Sequence, residues 1–344
     1  MTAGVSVGIR VPPCRPATEV ADFAAEVERL GFDTLYVPDS QLLWRDGYLS
    51  LLATALRTSR IGLGTAVTNV VTRHPSVVAS AARTVAEAAE GRFRLGLGVG
   101  NSSVEPVGLS PSKQAELRAG IDTIRGLLAG AEASFNGVSG RLRDPFPGIP
   151  INVAASGPRN LQFAGEVSDG VILLSGVAPV LLERSVHLVR QGAETAGRNP
   201  DDVQIIVAAH AMVTDDLERD ARILKPVCAG IAQKGGRAAL ATAGIDIEVP
   251  AQVPGVYPDL IHAEDWELAV DRCAEWVSDE DAVAFAQTFC LFGTAEEIVT
   301  KIEAANRLGA TAIFLQHVGS YDFPEQLASD VATQVLPRLA DRAD

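Results

Sequence analysis

A helix end, a glycine and a short apolar run recur along this chain, and that unit restricts it to very few folds. It reads ERLGFDTLYVPD at 28–39, AEGRFRLGLGVG at 89–100, GEVSDGVILLSG at 165–176 and NRLGATAIFLQHVG at 306–319. The glycine suits a helix C′ position that needs positive φ, and the apolar run suits a strand buried on both faces. Further apolar runs lie at 5–9, 61–67, 151–154 and 203–209, and apolar spacing predicts helices at about 18–30, 76–89, 113–128, 158–167 and 179–195. Strands alternating with helices make parallel βαβ units. Val5, Leu35, Ile61, Phe93, Ile151, Val171, Val203 and Ile313 mark eight strands, the number that closes a (β/α)8 barrel. A doubly wound open sheet is the alternative.

The spacing is even except over 214–310, too long for one crossover. Its KGGRAALATAG, EVPAQVPGVYPD and a helical stretch at 264–289 read as an insertion of about 220–289 between strands seven and eight. SFNGVSGRLRDPFPG (134–148) reads as a loop or small hairpin turning at Asn136-Gly137. The expected fold is thus α/β: one TIM-barrel domain over 1–344 with one elaborated connection.

Charge and composition then narrow the function. With 29 basic against 43 acidic residues the net charge is −14, which disfavours nonspecific nucleic acid or anionic membrane as a partner and leaves a small-molecule substrate. Cys14, Cys228, Cys273 and Cys290 are scattered, so neither a zinc site nor a disulfide framework is expected. Residues 1–20 hold no apolar core of a signal peptide, and no apolar run reaches membrane-spanning length. A cytoplasmic protein is expected.

Function in a barrel gathers after the C-terminal ends of the strands. Those positions hold Pro38-Asp39-Ser40 through Trp44-Arg45-Asp46, then Thr65 to Pro75, Gly98 to Glu105, Ala155 to Arg159, Ser175-Gly176-Val177, His210, and Gln316-His317. Asp39 and Glu105 could converge as an acid/base pair, or serve as helix caps or solvated loop residues. Trp44 could wall an aromatic ligand or be a packing residue. Ser156-Gly157-Pro158 before a helix, with Ser175-Gly176 on the next strand, could cradle a phosphate, although capping and turn chemistry explain the same pattern. Gly96-x-Gly98-x-Gly100 lacks the third glycine spacing of a dinucleotide fingerprint. The five histidines form no H-E-x-x-H, and no metal is expected.

Leu63-Gly64-Thr65-Ala66-Val67-Thr68-Asn69-Val70-Val71-Thr72-Arg73-His74-Pro75, then Gly91-Arg92 and Leu95 to Gly100, resembles the bacterial-luciferase-like superfamily. The match is closest to its coenzyme F420-dependent branch, which includes methylenetetrahydromethanopterin reductase-like proteins. Pro38-Asp39-Ser40-Gln41, Trp44-Arg45-Asp46, Ala154 to Pro158 and Leu291 to Glu297 carry the same resemblance. It implies a TIM barrel with the ring against strand three and a non-prolyl cis peptide at Ala66-Val67. Asp39, Thr68 and Asn69 would lie near the ring, with Ser156, Gly157, Pro158, Gly176 and Val177 at the phosphate positions. The implied activity is hydride transfer between F420 and a small organic substrate, with Trp44 shaping the pocket and Asp39 or Glu105 handling a proton. The alternatives are an FMN-dependent monooxygenase served by a flavin reductase, or a barrel that binds flavin without turnover. Arg159, Arg184, Arg190, Lys225, Lys234 and Arg237 are candidates to meet the acidic F420 tail. By analogy the protein would be a homodimer. Ser40 stands where the sugar-phosphate dehydrogenases of the family have histidine, their glutamate is missing from Asn101–Ser103, and Arg10 stands near a position acidic in the pterin reductases. These departures argue against both substrates and leave the substrate open.

Overall fold

Alternation along each short strand sends one set of side chains out toward the helices and the other into the barrel. The computed structural model describes residues 4–319 and 321–342. The strands are β1 (Ser6–Arg10), β2 (Thr34–Val37), β3 (Gly62–Thr65), β4 (Phe93–Leu97), β5 (Ala133–Phe135), β6 (Val138–Gly140), β7 (Ile151–Ala155), β8 (Gly170–Leu173), β9 (Gln204–Val213), β10 (Leu291–Gly293) and β11 (Ala312–Gln316). Around the ring, β1, β2, β3, β4, β7, β8, β9 and β11 pair in parallel, and the β11–β1 pairing completes the circle. These are the eight expected strands, and the open sheet is excluded.

The outward set, including Ile9, Leu35, Leu63, Leu95, Val153, Val171, Val207 and Leu315, is buried against the helices. The inward set, Tyr36, Ile172, Ile206, Ala208 and Phe314, fills the barrel, with the Tyr36 and Phe314 rings 4.5 Å apart. Space for Tyr36 exists because Gly64 faces it: a Cβ there would lie 2.8 Å from the ring.

Helices Ala17–Arg29, Pro75–Ala88, Gln114–Leu128, Pro158–Val167 and Pro179–Thr195 lie where apolar spacing predicts them. A further helix, Gly47–Arg57, starts on Asp46, whose carboxylate accepts from the Leu49 amide. The helical stretch expected at 264–289 is two helices, Trp266–Cys273 and Asp279–Phe289, because a capping box on Ser278 starts the second one afresh. The antiparallel pair β5–β6 confirms the hairpin, with Asn136 and Gly137 both at positive φ in its turn. The short strand β10 is not legible in the sequence; it pairs with the end of β9 just before Thr294 caps the next helix.

Between β9 and β11 the chain builds a second apolar core from Leu224, Cys228, Leu240, Cys273, Val277, Phe285 and Phe292, among others. No helix among the described residues is long and apolar enough to cross a membrane.

Candidate active site

Strand three ends in the feature that shapes the barrel mouth. The Ala66-Val67 peptide is cis, as the resemblance implies. Beyond it Thr68 returns to the sheet as a bridge to Leu97, donating its amide to Gly96 and accepting from the Gly98 amide, both at 2.9 Å. The glycines of β4 permit this approach. A Cβ on Gly96 would sit 2.0 Å from the Thr65 carbonyl oxygen, and one on Gly98 would sit 2.7 Å from Val67. The glycine run therefore serves close packing. Ala66, Val67 and Ala154 lie partly buried on top of the barrel core, so this side of the mouth is a platform of small apolar side chains.

Around the platform the loops are locked by polar contacts. Asp39 is buried and accepts two hydrogen bonds from Arg73, each at 2.8 Å, and one from the Thr68 hydroxyl at 2.7 Å. Arg73 also donates to Asp46 at 2.7 Å and lies over the Tyr48 ring. Burial alone would raise the Asp46 carboxyl, but the Arg73 hydrogen bond and charge hold it below its usual range. Asn69, also buried, accepts from the Val71 and Thr72 amides and donates to Ser103. Two more contacts tie the loop after β2 to that after β4: the Ser40 and Ser102 hydroxyls meet at 2.8 Å, and Gln41 donates to the Ser103 carbonyl at 2.6 Å.

The expected pairing of Asp39 with Glu105 is not what joins these loops. Glu105 is exposed at the start of a single 3-10 turn, while Asp39 is committed to Arg73 and Thr68. Arg73 ties these loops together, a position that sequence reasoning does not single out. An arginine in a loop carries no signal until the fold places two aspartates beside it.

Across the barrel axis stands a second wall. Arg10 ends β1 and donates to Gln316 of β11 at 3.3 Å, and Gln316 is in register with His210 of β9. Burial lowers the Arg10 guanidinium to about 10. Burial and then the charge of Arg10 lower His210 to about 4, so its imidazole is neutral near pH 7. The Arg10 guanidinium lies 6.0 Å over the Trp44 ring, which stacks on Tyr321 at 5.5 Å. The Trp44 Nε1 is buried without a hydrogen-bond partner. Trp44 is therefore a packed wall of the mouth with its indole N–H left over.

The two anion candidates differ in access. Ser156, Gly157 and Pro158 are exposed at the N-terminus of helix Pro158–Val167, with exposed Arg159 in its first turn. Gly176 and Val177 are buried under Thr288 and Phe289, and the Val177 amide already donates to the Thr288 carbonyl. The Val177 amide, at one of the expected phosphate positions, is thus turned toward Thr288 in this structure. The Ser175 hydroxyl beside it is buried with no partner. Of the basic candidates, Arg190, Lys225 and Arg237 form ion pairs with Asp201, Asp279 and Asp246.

A closed ring of eight parallel strands with helices between them, its loops gathered around one mouth, is a (β/α)8 barrel. The profile described as luciferase-like monooxygenase matches residues 1–312, and the chain belongs to that family. It is 33% identical over 258 residues to the 5,10-methylenetetrahydromethanopterin reductase of Methanolobus tindarius, covering 73% of this chain and 78% of that one. It is 34% identical to the F420-dependent glucose-6-phosphate dehydrogenase of Nakamurella multipartita, covering 94% of this chain and 92% of that one. Among solved structures, the coenzyme F420-dependent tetrahydromethanopterin reductase from Methanopyrus kandleri superposes with a TM-score of 0.76 at 23% identity, covering 98% and 100% of the two chains.

Proposed function

We propose that this chain is an F420-dependent oxidoreductase acting on a small organic substrate. The observation that carries the reading is the platform at the end of β3, where Ala66, Val67, Gly98 and Ala154 offer a tricyclic ring a flat apolar seat. The two curated relatives above, one of them named as F420-dependent, support it. When bound, F420 supplies two-electron hydride transfer without activating oxygen.

The residues divide the remaining work. Asp39, held by Arg73 and Thr68, fixes the loops that frame the ring, and Asn69 fixes the turn beyond it. The residues present fit the phosphate part of the coenzyme through Ser156, Gly157 and Pro158 at a helix N-terminus, with Arg159 adding charge. Ser175 holds a hydroxyl in reserve beside Gly176. Trp44 closes the far side and keeps water from the reacting carbon. Exposed Glu105 is the carboxylate of the original pair that remains available to a proton, because that of Asp39 is occupied by three donors. A homodimer fits the exposed Leu49, Leu56 and Val77 on the neighbouring helices Gly47–Arg57 and Pro75–Ala88.

The family description favours a second reading, an FMN-dependent monooxygenase fed by a flavin reductase. The test is to add reduced F420 anaerobically with candidate alkenes, imines and ketones, and oxidised F420 with alcohols, following the visible band of the deazaflavin. Substrate-dependent change supports the proposal. Oxygen uptake driven by reduced FMN, with no change in the F420 band, supports the monooxygenase.

A further inference from the structure

Arg10 is a cation in the barrel mouth that no carboxylate answers. Among the described residues it enters no ion pair, and its side chain donates only to the neutral amide of Gln316, at 3.3 Å. Buried charge is costly unless paired, and this chain carries a net charge of −14, so carboxylates are abundant elsewhere. One donor beside it is unused: Nε1 of Trp44, whose ring the Arg10 guanidinium overlies, is a donor only and is buried without a partner. The His210 ring, by contrast, already hydrogen-bonds to the backbone of Gln316 and His317. The ring order sets where this group stands: in a circle of eight strands, β9, β11 and β1 lie opposite β3, β4 and β7, whose ends carry the platform residues Ala66, Val67, Gly98 and Ala154. Arg10, Gln316 and His210 thus form the wall that faces the platform at the end of β3.

We propose that Arg10, with the indole N–H of Trp44, is a carboxylate-binding subsite, and that the substrate is a small organic acid. This rests on the reading of the barrel as an F420-dependent oxidoreductase, which assigns the opposite wall to the ring. A guanidinium receives a planar carboxylate through paired N–H donors, so the subsite fixes the substrate's orientation as well as its charge.

The test is calorimetric and uses the whole protein. Acrylate, crotonate, cinnamate and benzoate are each titrated against the matching primary amide, without coenzyme, into wild type, Arg10→Met and Arg10→Lys. F420 is titrated separately into the same proteins. At least one carboxylate should bind wild type tenfold or more tightly than its amide, with that preference lost in Arg10→Met and partly kept in Arg10→Lys, and with F420 affinity unchanged. If no carboxylate outbinds its amide in wild type, the subsite is refuted whatever the variants do. Loss of F420 binding in a folded Arg10→Met protein also overturns it, because Arg10 would then serve the coenzyme. Failure of wild type to bind F420 overturns the oxidoreductase reading instead, and the carboxylate comparison remains separately decisive for the subsite.

Discussion

Asp39 shows how far a residue's neighbours decide its role. A carboxylate after strand two suggests proton transfer, yet three donors from Arg73 and Thr68 make it an anchor between two loops. Removing one member of a buried ion pair strands the other. Asp39→Ala should therefore cost about 3–5 kcal/mol in urea unfolding, with Asp39→Asn costing less. An Asp39→Ala protein of wild-type stability would show that the pair does not hold the mouth. His210 makes a separate prediction. Its pKa is lowered in the fold to about 4 against 6.5 for the free side chain, so between those values the unfolded chain binds more protons. Stability should be fully present above pH 6.5 and fall as pH drops toward 4, by on the order of 2–3 kcal/mol from this residue. His210→Gln should show a smaller drop between pH 7.5 and about 4.5; an identical drop would remove His210 as the cause.

At the scale of elements, the helix ends and strands were legible because their signals are local. Pro158 and Pro179 at first helical positions, and apolar spacing along each helix, need no knowledge of the rest of the chain. What was not legible depends on contacts between distant segments. Arg73 meets Asp39 across 34 residues, and Val177 loses its amide to Thr288 only because a helix end from the long β9–β11 connection lands on it. The Asn69 network, likewise, rests on Ser103 from the next βα loop. The glycine run of β4 stands between these cases: visible in the sequence, but explained only by the approach of strand three. Gly96→Ala would place a methyl against the Thr65 carbonyl and should cost roughly 2–3 kcal/mol by overpacking, and it should weaken coenzyme binding as the end of β3 moves. Chemical denaturation and F420 titration of that variant would check both. Retention of wild-type values in each would mean that the end of β3 adjusts freely.

Across the whole molecule, the barrel and the segment after β9 divide the labour. The barrel supplies the mouth, while the second core packs Cys228, Cys273 and Cys290 out of solvent. Burial pushes the Cys228 thiol up to about 12 and the Cys273 thiol up to about 11, so neither forms thiolate near neutral pH. A thiol reagent such as DTNB should react with these cysteines only on unfolding; rapid labelling of native protein would show that this segment opens on its own. The reading of the molecule as an F420-dependent oxidoreductase rests finally on which coenzyme the mouth selects. An anaerobic titration of purified protein with F420, and separately with oxidised and reduced FMN, tests that most directly. The account predicts saturable F420 binding, weakened by Gly96→Ala, with FMN binding much weaker in either redox state. Preferential binding of reduced FMN, or binding of none of them, would contradict it.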